Sequence, residues 1–284
     1  MEIKKVGVVG CGFMGSGIAQ VSAMAGLDVI VFDVKREAVD KAFRNIRRSF
    51  EKLKSKGRFS GDEEKVLAGI NAVDGINGVS KCDIVIEAVH ENVSLKQQIF
   101  QTLDKNVSHE TILATNTSSV PMSVLADKVS HPERFIGTHF FGPVPLMALV
   151  EIVMGPVTSE ETLEDVRKFV KKLEKTSIVV RKPSPGFLVN RIFNAAAGEA
   201  IRCWLEGVAT PQDIDTGMKL GYGWPAGPFE VFDNAGLDVM AGIFAVLGGG
   251  LPPPLKEMLE KGHLGKKTGH GFYKYSPDGK KIQE

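Results

Sequence analysis

Apolar residues in the first two-thirds of the chain fall into short runs bounded by polar or glycine positions, at 6–10, 29–33, 84–89, 112–115, 135–139, 149–153 and 178–181. Apolar runs of that length, separated by helical stretches, predict βαβ units and a mostly parallel sheet covered on both faces. Between the second and third runs lies a longer insert. Val39, Phe43, Ile46, Phe50 and Leu53 recur there at spacings of four, three, four and three, one apolar stripe on a helix. Lys182-Pro183-Ser184-Pro185-Gly186 then interrupts the pattern as a turn or a stiff junction. Beyond it the chain reads as helical. Leu188, Ile192, Ala195, Ala196 and Glu199 open an amphipathic helix that Gly207 can end. Thr210 is placed as the N-cap of the next helix, with Pro211 at its first position and Asp213 inside the first turn. The glycine- and proline-rich stretch 247–254 reads as a loop. The expected organisation is an α/β domain over 1–185 and a smaller all-α domain over 186–284.

Gly10-Cys11-Gly12-Phe13-Met14-Gly15 follows the first apolar run and precedes the helix expected at 16–25. Such a loop suits a pyrophosphate. Gly10 permits the tight turn, Gly12 lets a phosphate approach the backbone, and Gly15 lets helix and strand pack closely. Asp33 ends the next run, where an acid accepts hydrogen bonds from ribose hydroxyls and repels a 2′-phosphate, so the pattern favours NAD over NADP. Lys35 and Arg36 follow directly and weaken that preference. The alternative is three glycines in ordinary structural turns. With strand, loop, helix, strand and acid in order, the fold class expected is a Rossmann-like, mostly parallel α/β sheet.

Composition changes the picture by exclusion. The 284 residues carry 35 Lys plus Arg against 34 Asp plus Glu, a net charge of +1, which does not favour nucleic acid or a membrane surface as a partner. Three widely spaced cysteines, Cys11, Cys82 and Cys203, form no CxxC pair and suggest a reducing compartment. With no signal-like start and no membrane-spanning run, a cytoplasmic protein is the expectation. Charge is nonetheless local. Residues 35–58 hold ten basic and three acidic side chains, a balance of +7. That helix is either a solvated face or a docking surface for a polyphosphate such as coenzyme A.

Ligands of open α/β sheets bind beyond the carboxyl ends of the strands. Asn116-Thr117-Ser118-Ser119, His139, Glu151 and Asn190 lie near such ends or at the junction. Each also has an ordinary reading: a cap or turn for the hydroxyl cluster, a structural histidine, a solvated edge-strand carboxylate. A carboxylate inside Leu149-Val150-Glu151-Ile152-Val153 needs a partner if buried, and a histidine supplies one. Such a pair suits proton transfer at a hydroxyl, with imidazole as base and carboxylate as its orienter. The six histidines include no HxxxH pair, so no metal site is expected, and there is no GxSxG elbow of a serine hydrolase.

In order and spacing, these segments resemble the L-3-hydroxyacyl-CoA dehydrogenases, especially the short bacterial 3-hydroxybutyryl-CoA dehydrogenases. The resemblance runs through VGVVGCGFMGSGIAQ (6–20), IEAVHE (86–91), TNTSS (115–119), HFFGPVP (139–145), LVEIV (149–153), PGFLVNRI (185–192), GPFEVFDNAGLD (227–238) and LGKKTGHGFYKY (264–275). It implies NAD-dependent oxidation of the 3-hydroxyl of a short-chain acyl-CoA, and the reverse reduction. By this resemblance His139 is the base, Glu151 orients it, and Ser118 and Asn190 contact or position the reacting oxygen. Gly10, Gly12, Gly15, Asp33, Glu91, Lys96, Asn116 and Lys267 make up the implied cofactor set, and Ser49 and Lys56 would meet coenzyme A. A homodimer through the all-α domain is implied as well.

Two departures stand out. The family usually reads HFFNP where this chain has Gly142, and commonly Lys before LVE where it has Ala148. Loss of the Asn predicts an opened pocket, a changed acyl preference or a slower reaction. The loop at 248–254 also looks shortened. One rival is a related dehydrogenase of a free hydroxy acid or sugar acid, similar to L-gulonate 3-dehydrogenase. Another is a non-catalytic NAD- or CoA-binding protein.

Overall fold

The computed structural model describes residues 1–246 and 251–282. They form two compact units, Met1–Val189 and Asn190–Glu284.

The first unit is built on eight strands: β1 (Lys5–Val9), β2 (Asp28–Phe32), β3 (Ile70–Ala72), β4 (Ile84–Glu87), β5 (Ile112–Thr115), β6 (Phe135–Phe140), β7 (Leu149–Met154) and β8 (Thr176–Val180). Their order is β3-β2-β1-β4-β5-β6-β7-β8. The pairs from β3 to β6 are parallel, β7 runs antiparallel to β6, and β8 is parallel to β7. The central strands are buried on both faces, which explains their unbroken apolar runs.

The helices of this unit are α1 (Phe13–Met24), α2 (Arg36–Ser55), α3 (Glu63–Ala68), α4 (Val93–Asp104), α5 (Met122–Ala126) and α6 (Glu160–Lys172). The stripe Val39, Ile46, Phe50 and Leu53 of α2 is buried as its spacing requires, and Phe43 packs against the core at its margin. Asp62 caps α3 through bonds from the N–H groups of Glu64 and Lys65. The sequence pattern identifies neither α3 nor β3, which have only six and three residues.

The Pro/Gly junction belongs to the first unit, so the units divide beyond residue 185. Phe187 is buried in a core cluster with Val180, Val120 and Phe135. Gly186 and Phe187 both take positive φ, turning the chain tightly there.

Among its described residues the second unit is helical, with isolated bridges near its end. It contains most of α7 (Val189–Leu205), then α8 (Pro211–Tyr222), α9 (Pro228–Ala235), α10 (Leu237–Val246) and α11 (Pro253–Glu260). Gly207 adopts φ +73°, and the Thr210 side chain caps α8 as its position predicts. Phe229, Phe232, Ile201 and Leu237 centre its core. The loop expected at 247–254 is corrected at its end. Residues 247–250 lie outside the described residues, whereas Pro253 and Pro254 open α11, where proline's fixed φ suits a first helical turn.

Candidate active site

The glycine loop joins β1 to α1. Gly10 sits at φ +100°, and a Cβ there would stand 2.8 Å from the Ala88 carbonyl oxygen. A Cβ on Gly15 would collide with the Gly10 carbonyl, whereas one on Gly12 would meet nothing within 4 Å. The loop is therefore closed inward at Gly10 and Gly15 and open outward at Gly12. No side chain caps α1 and its first turn holds no acid, so its N–H groups remain available to an anion. Asp33, just past β2, accepts hydrogen bonds from the Cys11 N–H at 2.8 Å and the Lys35 N–H at 3.0 Å. An open glycine loop, an uncapped helix start and an acid beside them fit a dinucleotide. Cys11 contributes no thiolate: burial, reinforced by Asp33, pushes its thiol pKa up to about 12.

Antiparallel pairing sets His139 of β6 directly opposite Glu151 of β7. Nδ1 of His139 lies 2.6 Å from Oε2 of Glu151. Oε1 of Glu151 accepts the N–H groups of Val189 at 2.9 Å and Leu188 at 3.1 Å. His139 is 6% exposed and Glu151 fully buried. Burial alone would raise the Glu151 pKa, but bonds from His139 and the Val189 and Leu188 N–H groups hold it below the usual range. Ionised, Glu151 only accepts, so Nδ1 carries a hydrogen and Nε2 is the acceptor nitrogen of a neutral imidazole. Phe141 and Phe187 flank the ring at centroid distances of 4.6 and 5.7 Å.

The residues after β4 and β5 form a second polar group. Glu91 accepts bonds from Thr117 Oγ1 at 2.8 Å, the Ser118 N–H at 2.5 Å and Ser118 Oγ at 3.1 Å. Asn116 accepts the Phe140 N–H at 2.9 Å, tying this turn to the residue after His139. Lys96, expected as a cofactor contact, is instead 1% exposed, its ammonium 2.7 Å from Glu87 and 3.3 Å from Glu91. Thr117 belongs to the hydroxyl cluster expected near the site, whereas Glu87 reads in the sequence only as a strand end.

The basic helix α2 is divided in use. Arg47 and Lys54 pair with Glu64 and Glu63 of α3, so part of the positive charge is internally balanced. Arg48, Ser49, Lys52 and Lys56 line a groove of about 480 Å³ bordered by α1 and the 143–146 segment. Ser49 and Lys56 thus share one groove with the chain that leaves β6 beyond His139.

Gly142 does not leave the opening expected of it. A Cβ there would stand 2.6 Å from Cε1 of Phe13, whose ring fills the space. Phe13 is 65% exposed, so its ring can yield.

Two expected residues lie in the second unit. Asn190 is its first residue, within α7. Lys267 holds Asp238 at 2.5 Å. Among the described residues, no group of three His, Cys, Asp or Glu could hold a metal ion, and no helix is long and apolar enough to cross a membrane.

The family description "3-hydroxyacyl-CoA dehydrogenase, NAD binding domain" matches residues 5–183, and the C-terminal domain of the same family matches 186–275. A probable 3-hydroxybutyryl-CoA dehydrogenase from Deinococcus radiodurans is 44% identical over 95% of this chain and 100% of its own length. The crystal structure of (S)-3-hydroxybutyryl-CoA dehydrogenase PaaH1 from Ralstonia eutropha superposes with TM-score 0.87 at 42% identity, covering 97% of this chain and 100% of the other. That of M. tuberculosis FadB2 gives TM-score 0.90 at 37% identity, covering 97% and 100%.

Proposed function

The chain belongs to the 3-hydroxyacyl-CoA dehydrogenase family, and from that premise we infer that it interconverts a short L-3-hydroxyacyl-CoA and its 3-oxoacyl-CoA with NAD. The observation that carries the mechanism is the buried His139–Glu151 pair at 2.6 Å. NAD+, when bound, supplies the hydride acceptor for C3. Nε2 of His139 takes the hydroxyl proton in oxidation and returns it to the carbonyl oxygen in reduction. Glu151 fixes the tautomer and stabilises the imidazolium that forms. Ser118 is assigned to the reacting oxygen or its neighbours. The open glycine loop with Asp33, Glu91 and Asn116 is assigned to the cofactor. Lys96 acts there through its carboxylate partners.

The groove of α2 supports a CoA thioester as the substrate form. Lys52 and Lys56 present ammonium groups to solvent beside Ser49 and the apolar 143–146 segment, a chemistry that matches phosphates on an acyl carrier. Lys52→Glu or Lys56→Glu is expected to raise KM for acetoacetyl-CoA about tenfold while kcat stays nearly constant, the signature of lost uniform binding. Steady-state kinetics at low and high salt check this, with the difference shrinking at high salt. The function itself is tested by following NADH absorbance at 340 nm with acetoacetyl-CoA or free acetoacetate. Oxidation only with the thioester is expected, and equal rates on the free acid would carry the hydroxy-acid reading instead.

Gly142 and Phe13 act as a pair in this reading. Gly142→Asn is expected to raise kcat on acetoacetyl-CoA, and more so together with Phe13→Ala, which vacates the space the new side chain needs. Displacing an exposed ring costs about 1 kcal/mol or less, at the low end of overpacking, so Tm should move little. Unchanged or lower kcat/KM in both variants would contradict this.

The second unit exposes Ile192, Val208, Leu220 and Tyr222, the last two more than 80%. Large exposed apolar side chains favour association, and a second copy of the chain is the partner inferred. Three free cysteines, two of them buried, fit a reducing compartment and hence the cytoplasm.

A further inference from the structure

The carboxylate of Glu87 takes no part in the chemistry above, yet it is the most enclosed charge beside the site. It ends β4, directly beside Thr115 of β5, at the carboxyl edge of the parallel strands. It is 0% exposed and receives three donors at 2.7 Å: Lys96 Nζ, the Val89 N–H and Thr115 Oγ1. Lys96 also reaches the Val89 carbonyl at 3.4 Å. Its remaining partner is Glu91, at 3.3 Å. Glu91 in turn holds Thr117 and both the N–H and hydroxyl of Ser118. Burial raises the Glu91 pKa, but Lys96 and the bonds from Ser118 and Thr117 outweigh it, so the carboxylate stays charged. Polar contacts therefore run unbroken from Glu87 through Lys96 and Glu91 to Ser118. A buried ion pair persists only where both partners are otherwise hydrogen-bonded, and here they are. Neutralising Glu87 would leave Lys96 with Glu91 as its single counter-charge and draw Glu91 away from Ser118.

We propose that Glu87 is a positioning residue for Ser118, acting through Lys96 and Glu91 to fix the turn at 116–120. The inference rests on the assignment of Ser118 to the reacting oxygen. A residue that only stabilises the fold would weaken catalysis by the same factor whether or not Ser118 is present. One that acts through Ser118 would not.

The test is a double-mutant cycle of Glu87→Gln and Ser118→Ala with acetoacetyl-CoA and NADH. Glu87→Gln is expected to lower kcat about tenfold in the otherwise unchanged enzyme, with KM for acetoacetyl-CoA shifted much less, and to have almost no effect on top of Ser118→Ala. Equal losses in both backgrounds, or no loss in either, would overturn the proposal. If Glu87→Gln does not fold, Glu87→Gln with Lys96→Met removes both buried charges. That variant should regain Tm but keep the low kcat, and recovery of full kcat would overturn the proposal. Amide hydrogen exchange gives a readout independent of turnover. In Glu87→Gln, amides at 116–120 should exchange faster while those of β1 and β2 do not change. Unchanged exchange at 116–120 overturns the proposal even if the protein is silent on the thioester. Silence of the unmodified protein alone overturns the functional reading and leaves the exchange result to decide the role of Glu87.

Discussion

His139→Ala is expected to lower kcat for acetoacetyl-CoA reduction about 10³-fold, within the range of a lost general acid–base group. NADH affinity should stay nearly constant, because the glycine loop and Asp33 are carried by β1, α1 and β2, with β4 and β5 between β1 and the β6 strand that holds His139. The effect is large because no nearby group in the polar cluster replaces the imidazole. Glu151 is fully buried behind it, and Ser118 has its hydroxyl on Glu91. Steady-state kinetics with a fluorescence titration of NADH separate the two quantities. A kcat within tenfold of the unmodified enzyme would remove His139 from the mechanism.

Glu151→Gln is the second large effect, expected at about 10²-fold in kcat with a loss of about 2 kcal/mol in stability. The reason lies in what an amide cannot do. Oε2 accepts from the His139 ring, and Oε1 accepts from Leu188 and Val189. Glutamine offers one oxygen and one NH2. With its oxygen toward His139, the NH2 faces two N–H donors and leaves them unsatisfied. Turned the other way, it donates to Nδ1 and places the ring hydrogen on Nε2, where no proton can be accepted. Thermal melts and kcat should both move, and Glu151→Asp should recover neither fully, because the shorter side chain cannot span both sets of donors. A variant with unchanged kcat would show that the tautomer is set elsewhere. The native carboxylate also contributes pH dependence. Its pKa is lowered in the folded chain, so its stabilisation is complete above the ordinary glutamate range near ~4.3 and is lost as the pH falls through the lowered value.

Much of this architecture is legible in the chain, for reasons that particular residues make plain. The strands at the centre of the sheet are buried on both faces, so Val6, Val8, Ile84, Ile86 and Ile112 announce them. The helix α2 is legible because its stripe repeats over five positions. Strand direction is not written in apolar content: nothing in Leu149-Val150-Glu151-Ile152-Val153 tells that β7 reverses against β6. That reversal is what sets Glu151 opposite His139, so their partnership is a chemical expectation in the sequence and a fact of register in the fold. The Glu87–Lys96 pair is hidden for a different reason. A charge closing an apolar run looks like an ordinary strand end until α4 brings the ammonium to it. The Phe13–Gly142 contact is hidden because it joins residues far apart in the chain. In α2, the charge count overstates the free surface, since Glu63 and Glu64 of α3 neutralise part of it.

The central claim is that His139, its tautomer fixed by Glu151, takes the proton of the 3-hydroxyl. Its most direct measurement is the pH dependence of kcat/KM for oxidation of (S)-3-hydroxybutyryl-CoA by NAD+, in the unmodified enzyme and in His139→Ala. The unmodified enzyme should lose activity toward acid through a single ionisation, because only the neutral imidazole accepts a proton. In His139→Ala the small residual rate should lack that ionisation. The same acid limb in both proteins would contradict the account, because the titrating base would then be another group.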